Sequence, residues 1–469
     1  IADGLKLEHG EGGADLEQTV RRVLLAGTSS GCGKTTVVCA LLQALVDRGL
    51  RVGAFKCGPD YIDPMFHSRI IGARSGNLDG FFFSENTMRL LLAKNSADRD
   101  ISVIEGVMGY YDGAGLTSTA ASSWETARTL DAPAVLVADA KGAALSVLAV
   151  VQGFLDFQED SRIRGVLFNR CSGGTYPALA AAVEARFGGR VRALGYLPEL
   201  PACRLESRHL GLVTAGEVAD LREKLALLSR QAQETVDLEG LLELAGTAPP
   251  LNFQPADLPR YDEPVRIAVA RDRAFCFYYE DSLGALEEMG AELVRFSPLE
   301  DEALPEGIDG LCLGGGYPEL CARQLAENKP MRRAVRQALE EGTPCVAECG
   351  GFMYLTEAIG GEPMVGALPG DCFDRGRLTR FGYVTLRSKA DNLLCRAGEE
   401  IRGHEFHHWD ARQPGDGFTA VKPSGRSWDC AVATDRLYAG FPHLHFYANL
   451  NCARRFYEAC LARRRERRG

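Results

Sequence analysis

Val23-Leu24-Leu25-Ala26-Gly27-Thr28-Ser29-Ser30-Gly31-Cys32-Gly33-Lys34-Thr35-Thr36 decides the fold of the first half of this chain. Four apolar residues read as a short buried strand, a glycine-rich loop follows, and Val37, Val38, Leu41, Leu42 and Leu45 recur at helical spacing. Strand, loop and helix arrive in the order a phosphate-binding loop requires. The glycines let backbone N–H groups close around phosphate oxygens, and the helix N-terminus adds partial positive charge. Lys34 can reach the outer phosphates and Thr35 can ligate Mg²⁺. The loop is one residue longer than the strict Gly-x₄-Gly-Lys-Thr pattern, because Thr28 stands five before Gly33 and the first glycine is Gly27. ATP binding is expected at Gly27, Gly31, Gly33, Lys34, Thr35 and Thr36, with the helix closing at Gly49.

Open α/β sheets place their ligands at the carboxyl ends of strands. Glu105 follows the apolar run Ile101–Ile104, and Asp60 and Asp63 flank Tyr61 and Ile62. Mg²⁺ takes one or two carboxylates beside phosphate oxygens and waters, so Thr35 with Asp60 or Glu105 is the expected metal set. Asp112, in a glycine-rich stretch, is a further candidate; for Asp63 and Asp112 a turn or cap role is the alternative. Asn169 ends the run Gly165–Phe168, where its amide either reads the adenine edge or caps the strand.

The second half turns on Pro344-Cys345-Val346-Ala347-Glu348-Cys349-Gly350-Gly351-Phe352. A buried strand running into a sharp turn and a helix forms an elbow, which exposes a sulfur at a helix N-terminus and lowers its pKa. Cys349 is the expected nucleophile. Its base is expected from His443-Leu444-His445; in an extended segment the two imidazoles share a face, so His443, nearer the Pro442 turn, is taken first and His445 second. Upstream, Gly314-Gly315-Gly316 follows another buried run, and Gly315 and Gly316 with Gly350 can aim N–H groups at a developing oxyanion. His404-Glu405-Phe406-His407-His408 matches His-Glu-x-x-His literally, but that motif presents both imidazoles only from a helix and no 3.6-residue periodicity surrounds it. These residues are expected at a strand end beside the glutamine or substrate site, without zinc.

Apolar β-type runs alternate with helical patterns on both sides of Thr247–Pro264, a segment with five prolines. The pattern is that of parallel α/β sheets in two domains. The expected division is an extension over 1–20, a nucleotide domain over 21–246, a linker over 247–264, a second domain over 265–462 and a solvated basic tail over 463–469. A length of 469 residues exceeds one ordinary core, and 46% hydrophobic with 25% charged residues excludes disordered and membrane-spanning classes. A net charge of −10 argues against broad nucleic-acid binding. Fifteen cysteines without a Cys-x-x-Cys pair or an export signal suggest reduced thiols in the cytoplasm.

Taken together, Gly27–Thr36, Lys56–Pro64, Glu105–Gly113, Leu313–Glu319, Ala347–Leu355, Gly403–His407 and His443–Phe446 resemble the cobyrinic acid a,c-diamide synthase family, from about residue 21 to 460. The first half is also similar to dethiobiotin synthetase, which shares the lengthened loop, and the second to class I glutamine amidotransferases, a flavodoxin-like fold. The resemblance implies that Cys349 attacks the glutamine amide with His443 activating it, and that ammonia passes internally to a site where ATP–Mg²⁺ has phosphorylated an acetate of the corrinoid. Amidation would then occur twice, on side chains a and c. By the same resemblance Asp60, Glu105 and Asp112 become metal or substrate residues, and Tyr61, Ile62 and Asp63 accompany them at the substrate. The expected partners are cobyrinic acid and L-glutamine, with no nucleic acid, no membrane and a homodimer as a possible assembly. Sibling amidases of hydrogenobyrinic acid or nickel sirohydrochlorin share these motifs, and a nucleotide-switch ATPase is the alternative of another class. One departure is visible: the position two after the triad histidine, normally Glu, is His445, so no carboxylate can be assigned to orient His443.

Overall fold

A computed structural model describes residues 15–203 and 215–468. The first fourteen residues of the expected extension and Gly469 of the basic tail lie outside them. The chain divides into two compact units between Ala256 and Asp257.

In the first unit a seven-stranded sheet carries the order β4-β3-β5-β2-β6-β7-β8, with β2 Arg22–Gly27, β3 Val52–Cys57, β4 Arg74–Leu78, β5 Ile101–Gly109, β6 Ala134–Asp139, β7 Ile163–Asn169 and β8 Arg192–Leu197. Every pairing in it is parallel. Each residue of β2 and β3 is buried, as expected of strands covered on both faces by crossover helices. The helix α1, Lys34–Asp47, puts Val37, Val38, Leu41, Leu42 and Leu45 into this core and gives way to Gly49 at φ +82°. Parallel register sets Lys56 of β3 beside Glu105 of β5, which brings opposite charges together at the carboxyl edge.

Two short strands fall in segments expected to be extension and linker: β1 Leu16–Gln18 pairs antiparallel with β9 Leu251–Phe253. Their apolar side chains are too few to announce strands, and a partner distant in sequence decides the conformation. Arg22 fastens the same region. Wholly buried, it donates from Nε to the Leu130 carbonyl at 2.6 Å, from Nη1 to Val20 at 2.9 Å and from Nη2 to Pro249 at 2.8 Å. Burial lowers its pKa to about 10, with Asp131 acting in the opposite direction. Arg22→Ala would strand three carbonyls and leave a cavity, so a loss of about 3 kcal/mol or more is expected in denaturant unfolding of this unit.

The second unit has a six-stranded sheet in the order β12-β10-β13-β15, then Leu437–Gly440 and Val432–Ala433, where β10 is Val265–Ala270, β12 Ala291–Phe296, β13 Gly310–Leu313 and β15 Cys345–Glu348. All its pairings are parallel except that of the Val432–Ala433 edge. A short hairpin-like pair, β11 Phe275–Phe277 with β14 Gly315–Gly316, lies off the sheet. The sequence reading did not anticipate a five-stranded antiparallel sheet built on Arg380–Ser388 and Glu400–His407, with His443–Leu444 at its edge.

The final helix, Leu450–Arg468, buries Cys452, Phe456, Tyr457 and Cys460. Arg465, Glu466, Arg467 and Arg468 are exposed, as expected of a solvated helix end, yet three arginines of this end are paired. Arg464 and Arg467 reach the wholly buried Asp309 at 3.3 and 2.7 Å, and Arg465 holds Glu263 at 2.6 Å. An interior carboxylate without cations is costly, and that cost draws two arginines onto the body of the unit.

Candidate functional site

The phosphate loop leaves β2 and enters α1 through Gly33, whose left-handed φ of +85° lets the helix start without a side-chain cap. Its first N–H groups are thus open to an anion. Gly33 also has to be glycine because a Cβ would lie 2.1 Å from Asn169 Nδ2. That amide donates to the Cys32 carbonyl at 2.8 Å, so in this structure Asn169 braces the loop.

Glu105 collects the charges behind the loop. Its Oε1 accepts from Thr35 Oγ1 at 2.8 Å and from Lys34 Nζ at 3.4 Å, and Lys56 Nζ approaches it at 2.8 Å. Lys56 also holds Asp63 at 2.6 Å, while His67 Nε2 stands 3.8 Å from Glu105 Oε2. Burial alone would keep the Glu105 carboxyl protonated, but Lys56 and Lys34 outweigh it and hold the group ionised, well below the usual range. Burial likewise opposes the Lys56 ammonium, and Glu105 and Asp63 overcome it and raise its pKa. His67, on a single π-helical turn, is kept neutral by burial. Oε2 of Glu105 has no hydrogen-bond partner among the described residues.

The other expected acids divide. Asp60 Oδ1 accepts the Ile62 N–H at 2.8 Å, and burial followed by the Asp63 charge raises its carboxyl to about 6. Tyr61 is buried just before the short helix Ile62–Phe66. Asp112 Oδ2 accepts the Gly109 N–H at 2.8 Å, which is the turn role weighed for it. Lys56 and His67 were missed. For Lys56 the signal was a lysine ending a strand run, since a buried ammonium needs carboxylates nearby.

In the second unit Cys349 sits at φ +46° and ψ −101°, between β15 and the helix Gly350–Leu355. A non-glycine residue in that region is strained and persists only where its surroundings enforce it. Here its N–H donates to Gly440 at 2.7 Å and its carbonyl receives Met353 at 2.9 Å. All fifteen cysteines are buried and unbridged, so backbone conformation rather than burial singles this one out. The expected exposure of its sulfur is not found. Cys349 is 7% exposed, and burial pushes the thiol up despite the Gly350 N–H that lowers it.

The three glycines converge with it. A Cβ on Gly350 would lie 3.2 Å from Gly316 N, and one on Gly351 would lie 2.0 Å from the Leu313 carbonyl. The Gly314 N–H is taken by Tyr278 Oη at 2.8 Å. His443 packs its Cε1 edge against Gly315, where a Cβ would come within 2.4 Å. Gly315→Ala must therefore push the imidazole aside. Because that ring is buried, a loss on the order of 1–3 kcal/mol is expected in denaturant unfolding of this unit.

His443 Nδ1 stands 3.6 Å from Glu348 Oε2, and burial lowers the imidazole to about 3. His445 faces other partners: Nδ1 accepts the Tyr447 N–H at 3.2 Å, Ser282 Oγ is 3.4 Å away, and its ring lies 4.6 Å from that of Tyr279. Of the His-Glu-x-x-His stretch, His404 to His407 lie on the strand Glu400–His407 and His408 just past its end. His404 pairs in register with His443 with rings 5.9 Å apart, while Glu405 accepts His407 Nε2 at 3.0 Å. No group of three metal-ligating side chains occurs among the described residues. Nor is any of their helices long and apolar enough to cross a membrane.

Residues 23–213 match the family model of the CobQ/CobB/MinD/ParA nucleotide binding domain, and residues 266–450 that of the CobB/CobQ-like glutamine amidotransferase domain. Over 437 residues the chain is 40% identical to a cobyrinate a,c-diamide synthase of Clostridium acetobutylicum, covering 92% of this chain and 98% of that one. One from Thermoplasma volcanium is 41% identical over 450 residues, with 94% and 98% covered. A third, from Caldanaerobacter subterraneus, is 39% identical over 451 residues, again with 94% and 98% covered.

Proposed function

Because this chain belongs to the cobyrinate a,c-diamide synthase family, we propose that it amidates the a and c acetates of cobyrinate, spending ATP and glutamine, in cobalamin biosynthesis. The observation that carries this reading is one chain joining a phosphate loop backed by Glu105 to a strained cysteine elbow whose adjoining glycine turn packs against His443.

In the second unit, Cys349 adds to the glutamine carboxamide carbon, its proton passing by way of His443 to the departing ammonia. Water then cleaves the thioester to glutamate. N–H groups of Gly316 and Gly350, with Gly315, stabilise the oxyanion of each addition. Because the resting thiol is buried and protonated, its deprotonation belongs to the reaction cycle rather than to the resting state.

In the first unit, the loop glycines and Lys34 hold the triphosphate while an acetate oxygen attacks the γ-phosphorus and ADP leaves. Ammonia then displaces phosphate from the acyl phosphate. Lys34 and Thr35 engage Glu105 until nucleotide draws them outward. Lys56 remains to keep Glu105 ionised and stays paired with Asp63, and Asp60, Tyr61, Ile62, Asp63 and Asp112 are the assigned substrate residues. A hydroxyl and an ionised carboxylate oxygen with no partner fit Mg²⁺, so Thr35 and Glu105, with Asp60, would hold it. Bound there, Mg²⁺ would neutralise phosphate charge. Chelation is expected to stop amidation while leaving glutamate release, read by a coupled glutamate assay.

Mass spectrometry of cobyrinic acid incubated with the protein, ATP–Mg²⁺ and glutamine tests the assignment. Two successive acid-to-amide conversions are expected. No conversion, with hydrogenobyrinic acid or nickel sirohydrochlorin amidated instead, would move the assignment to a sibling substrate.

A further inference from the structure

The second unit contains a carboxylate at the imidazole in a place the sequence pattern does not advertise. Glu348 immediately precedes Cys349, and its two oxygens bracket consecutive residues of the strand His443–Leu444. Oε2 lies 3.6 Å from His443 Nδ1, and Oε1 accepts the Leu444 N–H at 3.2 Å. The second contact fixes the carboxyl group so that the first cannot drift. His445, two residues after His443, is committed to Ser282, Tyr279 and Tyr447.

We propose that Glu348 is the positioning carboxylate of the glutaminase site, accepting the Nδ1 proton of His443 and so leaving the Nε2 lone pair to take the Cys349 proton. The proposal rests on the assignment of Cys349 and His443 above. Proton bookkeeping decides which form works. A protonated Glu348 donates to Nδ1 and forces the neutral ring to carry its own proton on Nε2, the tautomer that cannot act as base. An ionised Glu348 accepts from Nδ1–H, frees Nε2 and then stabilises the imidazolium that forms. The thiol proton goes to Nε2 and later to ammonia, while Glu348 keeps its charge throughout. A separation of 3.6 Å is an ion-pair distance that shortens once the ring is charged.

Other groups face this pair. From the strand Glu400–His407 come His404, held neutral at about 3 by burial, and Glu405 with His407, which are paired to each other. Tyr278, Cys312 and Tyr438 face Glu348, and burial raises all three far enough to stay neutral. Glu348 itself is pushed up to about 8 by burial, opposed by the Leu444 N–H. Its shift is upward, so the ionised form is lost as pH falls through that value. Glutamate release should therefore rise with pH through a limb near 8.

The test is Glu348→Gln, which keeps the shape and removes the charge, with Glu348→Asp beside it. Glutamate release from glutamine, read without any corrinoid, is expected to fall by about 10²–10⁴-fold in kcat with KM little changed, because the wrong tautomer dominates. The ascending limb near 8 should vanish in Glu348→Gln and survive in Glu348→Asp, while ammonium-driven amidation stays at the parent rate. Wild-type kcat in Glu348→Gln would overturn the proposal, as would an unchanged pH limb or an equal loss with ammonium. Because glutamate release needs no corrinoid, failure of the substrate assignment leaves this test intact. Loss of glutamate release in Glu348→Gln but not in Cys349→Ser would overturn the nucleophile assignment instead.

Discussion

Cys349→Ser is expected to lower glutamine-driven amidation on the order of 10³-fold or more, yet to leave amidation driven by ammonium salts at the parent rate. Serine preserves the elbow, its hydrogen bonds to Gly440 and Met353 and most of the volume, so the φ of +46° is retained. What disappears is a nucleophile that is competent once deprotonated. A hydroxyl is a far poorer nucleophile, and His443, whose basicity burial lowers, cannot ionise it at rest. Free ammonia bypasses that step. Loss of both activities in a folded variant would contradict separate sites for ammonia release and for amide formation.

Lys34→Ala should give the complementary result. Amidation falls by about 10²–10³-fold with either nitrogen source, because a cation facing the transferred phosphoryl group is gone. Basal glutamate release persists, since nothing in the cysteine elbow depends on the loop. The variant is expected to fold, because Glu105 keeps Lys56 at 2.8 Å and Thr35 at 2.8 Å when Lys34 is removed. Full amidation by this variant would remove the phosphate loop from the mechanism.

Both elbows of chemistry could be read from the sequence because each is local: Gly31–Thr36 and Val346–Gly351 contain nearly all that shapes them. The parallel strands were legible for the same reason, being short apolar runs bounded by glycine and helical spacing. What escaped was set by pairing over distance. Lys56 meets Glu105 across 49 residues only through strand register, and Leu16–Gln18 becomes a strand only because Leu251–Phe253 meets it. Glu348 was visible beside Cys349, yet its reach to His443 depends on where the strand His443–Leu444 returns. The sulfur's burial was misjudged because an elbow fixes the backbone and says nothing of what covers the side chain.

Asp309 carries a consequence for the making of this protein. Its carboxylate lies at the start of β13, while two of its cations, Arg464 and Arg467, are synthesised more than 150 residues later. Until those arginines emerge from the ribosome, the growing second unit holds an interior negative charge without them and lacks the helix Leu450–Arg468 that covers β10. Folding of this unit on the translating ribosome should therefore stall short of completion, while the first unit, finished by Ala256, can already be native. A chain arrested after about residue 462 should expose its second unit to protease and its first unit hardly at all.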